Sequence, residues 1–424
     1  VALGALFTVR LNVTGVPTQA PWDGVAVMVE IVCVVTWLAV NVGIVPVPKA
    51  PMPVAVLLFV QATVAVALLV VQGIAGTVAP SQYTLEAGTV IVGAGFSGAV
   101  IARELAEANC SVTVLDKRNH IGGNAFDFQN EFNIRVHKYG PHIFHTNSKE
   151  VFNWLSRFTD WIPYKHKVKA QLIDGRYVTL PVNQETSAIV GKENVISTFI
   201  RPYSEKMWGM TLEELDPNIL NRVPVRDDLN EFYFPNDEFQ FMPKGGYTEI
   251  FKNILDHSNI SVKLNTPFSK SMEKDFNHIF CSMPIDEYYE SKFGSLPYRS
   301  IKFTNVHFPT SFILPNSVVN FTHKGPETRV TEWKQLPNHG INDQMTTLTY
   351  ETPCDYTENN HERYYPVKDI SGINRELYLK YKSIENPRVT FIGRLGLYAY
   401  LDMDQCINSA LLTTKIFLKN ESSN

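Results

Sequence analysis

The sequence predicts an α/β fold in which a parallel β-sheet with a crossover helix follows an apolar N-terminal segment. Two observations lead to this fold class. The first is the distribution of charge: of 38 Lys and Arg and 42 Asp and Glu side chains, only five lie within residues 1–87. The second is the succession of an apolar strand, a glycine-rich turn, a helix and another strand over residues 89–116, which is the pattern of a βαβ unit.

The N-terminal segment contains two apolar runs, 25–45 and 54–79. Glu30 and Asn41 interrupt the first run, whereas the second carries no charge and is long enough to span a membrane. Three interpretations remain open: a transmembrane anchor at 54–79, a buried segment, or a misassigned gene start, since the chain does not begin with Met. Membrane contact through residues 1–87 follows from the first interpretation only.

The composition excludes several classes of protein. A net charge of −4 gives no basic excess, so no nucleic-acid partner is expected. The cysteines lack CxxC spacing, which argues against a zinc site or a disulfide framework and suits a reducing cytoplasm. They are Cys33, Cys110, Cys281, Cys354 and Cys406. We therefore expect a cytoplasmic main region without a bound metal.

The glycine-rich turn follows the predicted strand Thr89–Val92 and opens a helix, in the pattern Gly93-x-Gly95-x-x-Gly98. The first glycine permits the tight turn, the second lets the backbone approach a pyrophosphate, and the third lets the helix pack closely on the strand. Asp116 ends the next strand, where a carboxylate accepts ribose hydroxyls. These features predict a Rossmann-like dinucleotide site.

The residues after Asp116 indicate which dinucleotide binds. Lys117 and Arg118 lead into the pair Gly122-Gly123, followed by Asn124. An acid followed closely by a Gly-Gly turn resembles the extended fingerprint of FAD enzymes, in which the chain turns over the cofactor phosphates. FAD is therefore favoured over NAD.

Several motifs in matching order then resemble the UDP-galactopyranose mutase family over residues 88 to about 418. These motifs are HKYGPHIFHTN (137–147), RPYSEKMWGM (201–210), NRVPVRDDLNEFYF (221–234), MPKGGYT (242–248), FGSLPYRSIKF (293–303), YYPV (364–367) and GRLGLYAYLDMDQ (393–405).

The resemblance implies a Rossmann-like FAD-binding domain with a small helical capping domain and an antiparallel sheet domain. The implied regions are 88–180 (first part of the FAD-binding domain), 181–235 (capping), 236–390 (sheet and substrate) and 391–424 (return to the FAD-binding domain). The stretch from Pro181 to Tyr203 is shorter than in the best-known bacterial members. This difference puts the family's homodimer interface in doubt.

The resemblance also implies an activity: the interconversion of UDP-galactopyranose and UDP-galactofuranose, which supplies galactofuranose for cell-surface polysaccharide. In this family the flavin is reduced, so a reductant such as NAD(P)H is expected, and N5 of the flavin is the nucleophile. Two alternatives remain: an FAD-dependent oxidoreductase of the amine-oxidase or desaturase type, and a membrane-tethered homologue with impaired activity.

The cofactor contacts that the resemblance and the glycine turn imply are Gly93, Gly95, Phe96, Ser97, Gly98, Asp116, Lys117, Gly123, Asn124, His142, Val262, Arg394, Asp402 and Met403. The implied substrate contacts are Phe199, Tyr203, Ser204, Trp208, Arg222, Tyr233, Arg299, Tyr365, Tyr400 and Asp402. Arg222 and Arg299 are expected to clamp the diphosphate and, with His142, to be the catalytic residues. Glu327 replaces a family tyrosine, and Arg329 is expected to offset its charge.

The stretch His137–Asn147 contains three histidines, His137, His142 and His145. A metal site would need further converging ligands, and the sequence offers no second cluster. A purely structural loop is the second interpretation. The resemblance favours a third, a loop lying over the isoalloxazine ring with His142 near its reactive face.

Overall fold

The computed structural model describes residues 88–215 and 225–422, together with two short strands, β1 (Phe7–Thr8) and β2 (Val32–Cys33). Strands β1 and β2 pair antiparallel with each other. The contacts of the chain divide it after Ala79 into two units, so β1 and β2 belong to the first unit and every other described element to the second.

The membrane span predicted at 54–79 lies outside the described residues. Within the described ranges, no helix combines the length and the apolar character needed to cross a bilayer.

In chain order, the strands of the second unit are β3 (Thr89–Val92), β4 (Val112–Leu115), β5 (Asp127–Gln129), β6 (Arg135–His137), β7 (Phe144–Thr146), β8 (Trp161–Pro163), β9 (Val168–Gln171), β10 (Tyr177–Leu180), β11 (Phe239–Pro243), β12 (Ile260–Lys263), β13 (His278–Cys281), β14 (Tyr298–Phe308), β15 (Val318–Phe321), β16 (Arg329–Glu332), β17 (Thr346–Asp355), β18 (Tyr365–Pro366) and β19 (Val389–Phe391). The described α-helices are α1 (Phe96–Glu107), α2 (Lys149–Leu155), α3 (Gln184–Val190), α4 (Arg201–Trp208), α5 (Tyr247–Leu255), α6 (Ile285–Tyr288), α7 (Ile373–Lys382), α8 (Gly393–Gly396) and α9 (Met403–Glu421). The 3₁₀ turns are Gly123–Ala125, Lys192–Asn194, Lys270–Asp275, Trp333–Gln335 and Tyr356–Glu358, and a π-helical turn spans Ile196–Ile200.

The predicted βαβ unit forms the centre of a parallel sheet in the order β12-β4-β3-β13-β19. Strand β3 is buried along its whole length, as its continuous apolar sequence requires. The crossover from β3 to β4 is helix α1, whose contact face is apolar or small: Ala99, Val100 and Ala102 are fully buried. These elements make the fold a mixed α/β fold with a Rossmann-like core.

Helices α5 and α9 cover α1 and complete the main hydrophobic core. The rings of Phe96 on α1 and Phe251 on α5 lie 4.5 Å apart, centroid to centroid. On the α9 side, Ile407 and Ala410 are buried. This packing holds the N-terminal end of α1 in a fixed place relative to the sheet.

A second sheet has seven strands in the order β10-β9-β15-β16-β17-β14-β18. The resemblance implied an antiparallel sheet, but this sheet is mixed, because β9 and β15 run parallel. Strands β9 and β10 fall within 88–180, so the predicted first part of the FAD-binding domain contributes to this sheet. Smaller sheets pair β7-β11-β8 and β5-β6.

The predicted capping region is mainly helical over 184–208, whereas its described part 225–235 is irregular. It contains α3, the 3₁₀ turn Lys192–Asn194, the π-helical turn and α4, which ends at Gly209 with a positive φ of 65°. Glycine at this position reverses the chain after a helix without strain.

The N-terminus of α5 is capped by a residue distant in sequence. Asp127, at the start of β5, is only 4% exposed. Its carboxylate accepts hydrogen bonds from the backbone N–H groups of Tyr247 (2.7 Å) and Thr248 (2.9 Å). These bonds satisfy two donors that every helix leaves unpaired in its first turn, and the negative charge favours the positive end of the helix dipole.

We expect Asp127→Ala to lower the free energy of unfolding by about 2–4 kcal/mol, since it leaves two buried donors unpaired. Glu249→Ala is the matched control, because Glu249 is an exposed carboxylate on the same helix and its loss should cost less than about 0.5 kcal/mol. Denaturant unfolding of both variants measures the difference. Equal losses would contradict the capping role.

Candidate functional site

A cleft of about 1350 Å³, including the part open to solvent, lies along the parallel sheet. Gly93, Asp116 and Ser282 line it, and they directly follow β3, β4 and β13. Ligands of open α/β sheets bind outside the carboxyl ends of the strands. The predicted cofactor residues that line the cleft are Gly93, Gly95, Phe96, Ser97, Gly98, Asp116, Lys117, Gly123, Asn124, His142, Arg394 and Met403.

The three glycines of the turn meet different surroundings. Gly93 has a φ of +104°, which L side chains rarely adopt. A Cβ on Gly98 would lie 1.9 Å from the carbonyl oxygen of Gly93, whereas a Cβ on Gly95 would meet only Gly123 Cα, at an ordinary 3.6 Å. Gly98 is therefore required by the protein itself, and Gly95 leaves room for a ligand.

The N-terminus of α1 opens into this cleft without a side-chain cap, and its N-cap residue is Gly95. The amide groups of the first turn and the positive end of the helix dipole form a site for phosphate. Asp116, 8% exposed, accepts hydrogen bonds from the backbone N–H groups of Ala94 and Arg118, both at 2.8 Å. The carboxylate is thus fixed beside the turn, in the position of a ribose acceptor.

Two predicted cofactor residues lie outside the cleft lining. Val262 is on β12 opposite Val114 of β4 and packs against the main core. Asp402 is the N-cap of α9, and its backbone N–H donates to Gln405 Oε1 at 2.9 Å as part of a capping box. The structure therefore shows a helix-capping role for Asp402.

Residues that the sequence analysis missed also line the cleft. Thr266, Pro267 and Phe268 follow β12, and Ser282, Met283 and Pro284 follow β13. A signal was available for the second group, because Ser282 directly follows the largely apolar strand β13 of the parallel sheet. Arg118 also lines the cleft; its Nη2 lies 2.7 Å from Glu362 Oε2, and its guanidinium lies over Tyr139.

His142 is the histidine of the loop that reaches the cleft. Its Nδ1 lies 2.8 Å from the carbonyl oxygen of Gly140, so Nδ1 carries the proton and donates. Burial lowers the pKa of His142 to about 4. His142 is therefore neutral at pH 7, with Nε2 as an acceptor.

The other two histidines of the loop have structural surroundings. His137 is fully buried beside His339, and His145 Nδ1 lies 2.6 Å from Asp237 Oδ2 while its ring stacks on Phe234. Within the described ranges, no three His, Cys, Asp or Glu side chains converge as metal ligands would.

An aromatic cluster adjoins the cleft. It consists of Tyr203, Trp208, Tyr364, Tyr365 and Tyr400. The rings of Tyr365 and Tyr400 stack at 5.0 Å, and Trp208 lies 6.2 Å from Tyr365. The structure thus brings together four of the predicted substrate residues: Tyr203, Trp208, Tyr365 and Tyr400.

Arg394 connects the aromatic cluster to the cleft. It lines the cleft, and its guanidinium carbon lies 5.1 Å from the ring centre of Tyr365 and 4.9 Å from that of Tyr400. Its Nη2 donates to the carbonyl oxygen of Leu401 at 2.6 Å. A ligand in the cleft and a ligand on the cluster would therefore share one cation.

Arg299 lies against the C-terminal end of α4. Its Nε donates to the carbonyl oxygen of Met207 (2.9 Å) and its Nη2 to that of Lys206 (3.2 Å). Burial lowers the pKa of Arg299, although the side chain remains a cation. The guanidinium thus supports the turn of helix that carries Trp208.

Three further predicted substrate residues are Phe199, Ser204 and Tyr233. Phe199 and Tyr233 pack on the apolar core of β9, β10 and β15, outside the aromatic cluster. Ser204 is buried on α4. Phe199 and Tyr203 thus pack in different apolar clusters, and the predicted uracil platform stays a prediction.

Arg222 lies outside the described residues. The expected pairing of Arg329 with Glu327 is wrong: Arg329 Nε lies 2.7 Å from Glu351 Oε2, across the β16–β17 ladder. The backbone carbonyl of Glu327 accepts a hydrogen bond from Lys206 Nζ at 2.7 Å. Burial disfavours the charge on Arg329. Its pKa is nevertheless raised above the usual range by three nearby groups, Glu351, Tyr203 and Tyr365.

Comparison with known proteins agrees with this geometry. A family profile described as UDP-galactopyranose mutase matches residues 198–400, and one described as an NAD(P)-binding Rossmann-like domain matches residues 91–158. A probable UDP-galactopyranose mutase of Klebsiella pneumoniae is 36% identical over 372 residues, which cover 78% of this chain and 94% of that protein.

A dTDP-fucopyranose mutase of Escherichia coli is 34% identical over 377 residues, covering 78% of this chain and 98% of that protein. Among solved structures, a reduced UDP-galactopyranose mutase superposes with a TM-score of 0.62 at 16% identity, covering 78% of this chain and 95% of that one. This likeness shows that the fold is shared.

The ion pair of Arg329 with Glu351 leads to a stability prediction. Glu351 is buried, with 2% of its side chain exposed. Arg329→Met should lower the free energy of unfolding by about 3–5 kcal/mol, because it leaves a buried carboxylate without its partner. Adding Glu351→Gln should recover part of that loss. A double-mutant cycle by denaturant unfolding measures both; additive losses would show that the pair is not coupled.

Proposed function

Because the chain belongs to the UDP-galactopyranose mutase family, we propose that it interconverts UDP-galactopyranose and UDP-galactofuranose without net redox change. One observation carries the proposal beyond the resemblance: Arg394 belongs to both the nucleotide cleft and the aromatic cluster. The reaction needs a nucleotide cofactor and a nucleotide sugar side by side, and this arrangement provides two adjoining sites.

We propose FAD as the nucleotide in the cleft, which the Rossmann-like unit supports. The open space at Gly95 suits a pyrophosphate, the amides of α1 suit its charge, and the fixed carboxylate of Asp116 suits a ribose. When bound and reduced, FAD supplies N5 as a nucleophile for the anomeric carbon. NAD(P)H as reductant, homodimer formation and membrane contact through residues 1–87 stay predictions.

On the substrate side, we propose that Tyr203, Trp208, Tyr365 and Tyr400 contact the UDP-sugar, with Arg299 and Arg222 near the diphosphate. Arginine suits this position, since its planar fork matches phosphate oxygens. Neutral His142 can accept a hydrogen bond at the flavin side of the site. The similarity to a dTDP-fucopyranose mutase supports dTDP-fucose as a second candidate substrate for the same kind of isomerisation.

The proposal predicts a yellow protein that, after chemical reduction, converts UDP-galactofuranose to UDP-galactopyranose, as followed by chromatography of the nucleotides. The dTDP-fucose pair, tested in parallel, decides between the two sugars. Gly95→Val should lose flavin and activity but keep the unfolding temperature of flavin-free protein, because its side chain enters only the ligand space. Gly98→Ala should lower that temperature. Colourless protein, or flavin loaded without isomerisation of either sugar, would overturn the proposal.

Arg299→Ala should lower kcat/KM by roughly 30- to several-thousand-fold, the equivalent of about 2–5 kcal/mol for a desolvated charge-assisted bond. Arg299→Lys should restore only part of the lost kcat/KM, since an ammonium group lacks the bidentate fork. Flavin content should not change.

Titration with UDP tests whether Arg299 binds the diphosphate. Arg226→Ala is the matched control, because Arg226 also donates to two backbone carbonyls, but they are those of Phe232 and Asn230 and not those of α4. A diphosphate contact predicts weaker UDP binding in Arg299→Ala than in this control. Equal UDP affinity would restrict Arg299 to supporting α4.

A further inference from the structure

A chain of hydrogen bonds runs from the cleft into the protein interior through two buried imidazoles. The backbone N–H of His142 donates to His137 Nδ1 at 3.1 Å, and His137 Nε2 lies 2.9 Å from His339 Nε2. His339 Nδ1 lies 2.8 Å from the carbonyl oxygen of Pro337. His137 is fully buried and His339 is 1% exposed, so neither imidazole exchanges these partners for water.

The direction of every bond in this chain is determined. His137 Nδ1 faces an amide N–H, so it must be the acceptor, and the proton of a neutral His137 is on Nε2. His339 Nε2 must then accept, which places the proton of His339 on Nδ1, where the carbonyl of Pro337 receives it. Each imidazole has one donor and one acceptor, and both are used.

A single added proton breaks this arrangement. If His137 gains it, Nδ1–H faces the amide of His142. If His339 gains the proton, its Nε2–H faces the Nε2–H of His137. His137 must then carry its proton on Nδ1 instead, where it faces the N–H of His142. In both cases the amide of His142 loses its acceptor.

We propose that His137 and His339 are positioning residues, which hold the backbone of His142 at the cleft while both imidazoles are neutral and release it when the pair takes up one proton. The consequence for the reaction rests on the proposed function, because His142 lines the cleft assigned to the flavin. The hydrogen-bond chain itself does not depend on that assignment.

The groups around the pair disfavour the proton. Burial lowers the pKa of His339 to about 4 and holds that of His137 well below its usual range. Arg135 adds repulsion at both imidazoles, and His142 and His339 add to it at His137. Asp127, 3.9 Å from Arg135, partly offsets that charge. The rings of Tyr247 and Trp333 that pack on His137 are uncharged.

The sign of the pH effect follows from these shifts. The unfolded chain binds protons at these histidines below about pH 6.5, while in the folded chain the pKa of His339 is about 4 and burial holds that of His137 well below its usual range. Stability contributed by the pair is therefore complete above pH 6.5 and falls as the pH drops through this window. Release of the His142 amide accompanies proton uptake at the lower end.

The first test is ¹⁵N NMR of the full chain labelled in histidine, at pH 7. The proposal requires the proton of His137 on Nε2 and that of His339 on Nδ1, assigned with His137→Gln and His339→Gln. Any other pair of tautomers, or a charged imidazole, would overturn the proposal. This measurement requires no activity and succeeds or fails independently of the proposed function.

The second test is hydrogen exchange of the peptide covering residues 138–146, corrected for intrinsic rates, between pH 7 and pH 3. His339→Phe keeps a ring on Trp333 but removes the atom that accepts from His137 Nε2–H. It should reduce protection of the peptide about tenfold at pH 7. His339→Gln supplies an acceptor that cannot titrate, so it should keep protection and shift its loss to lower pH.

His278→Gln is the matched control. His278 also has a pKa lowered to about 4 by burial, but its partner is Thr390 on β19, away from the loop. It should leave protection of the 138–146 peptide unchanged. Unchanged protection in folded His339→Phe, or an equal loss in His278→Gln, would overturn the proposal. If His339→Phe does not fold, the pH profile of His339→Gln decides, and a profile identical to that of the native chain is then the contrary result.

Discussion

The close contact between α1 and β3 is the constraint on which the rest of the structure depends. With no side chain on Gly98, the helix lies directly against the carbonyl of Gly93, where a Cβ would come within 1.9 Å. This close contact places the first turn of α1 at the carboxyl edge of the sheet. It also brings Phe96 onto Phe251 and sets the surface on which α9 packs. The glycine turn and the first turn of α1, which line the cleft, are held at this edge by the packing of α5 and α9 on α1.

Around the aromatic cluster, the structure keeps cations in a largely apolar setting. Arg329 is held by Glu351, and Arg394 by carbonyl oxygens and two tyrosine rings. Desolvating an arginine costs free energy that only such partners offset. Because this cost is met during folding, an anionic substrate would find positive charge already oriented, which is the condition for strong electrostatic stabilisation in a site with little water.

The sequence was sufficient to predict contacts that form within one short segment. It was insufficient for contacts that depend on the register of paired strands. The glycine turn and Asp116 were predictable because one βαβ unit contains them all. The partner of Arg329 was not predictable, because Glu327 precedes β16 and is near Arg329 only in sequence. The β16–β17 register places Glu351 opposite instead. The contacts of Arg299 left no signal either, because backbone carbonyls are present at every position.

The position of α4 links the fold to the chemistry. Arg299 binds the carbonyls of Lys206 and Met207, and Lys206 Nζ in turn binds the carbonyls of Phe321, His323 and Glu327. Two cations therefore tie the C-terminal turn of α4 to the mixed sheet and to the loop after β15, and Trp208 is placed by this double tie. The two carbonyls take Nε and Nη2 of Arg299, so a phosphate that engaged Nη1 would bind beside the same turn of α4. The nucleotide-binding unit, which oxidoreductases also use, does not by itself determine the reaction, so any substrate selectivity must come from the side chains around it, such as those on α4.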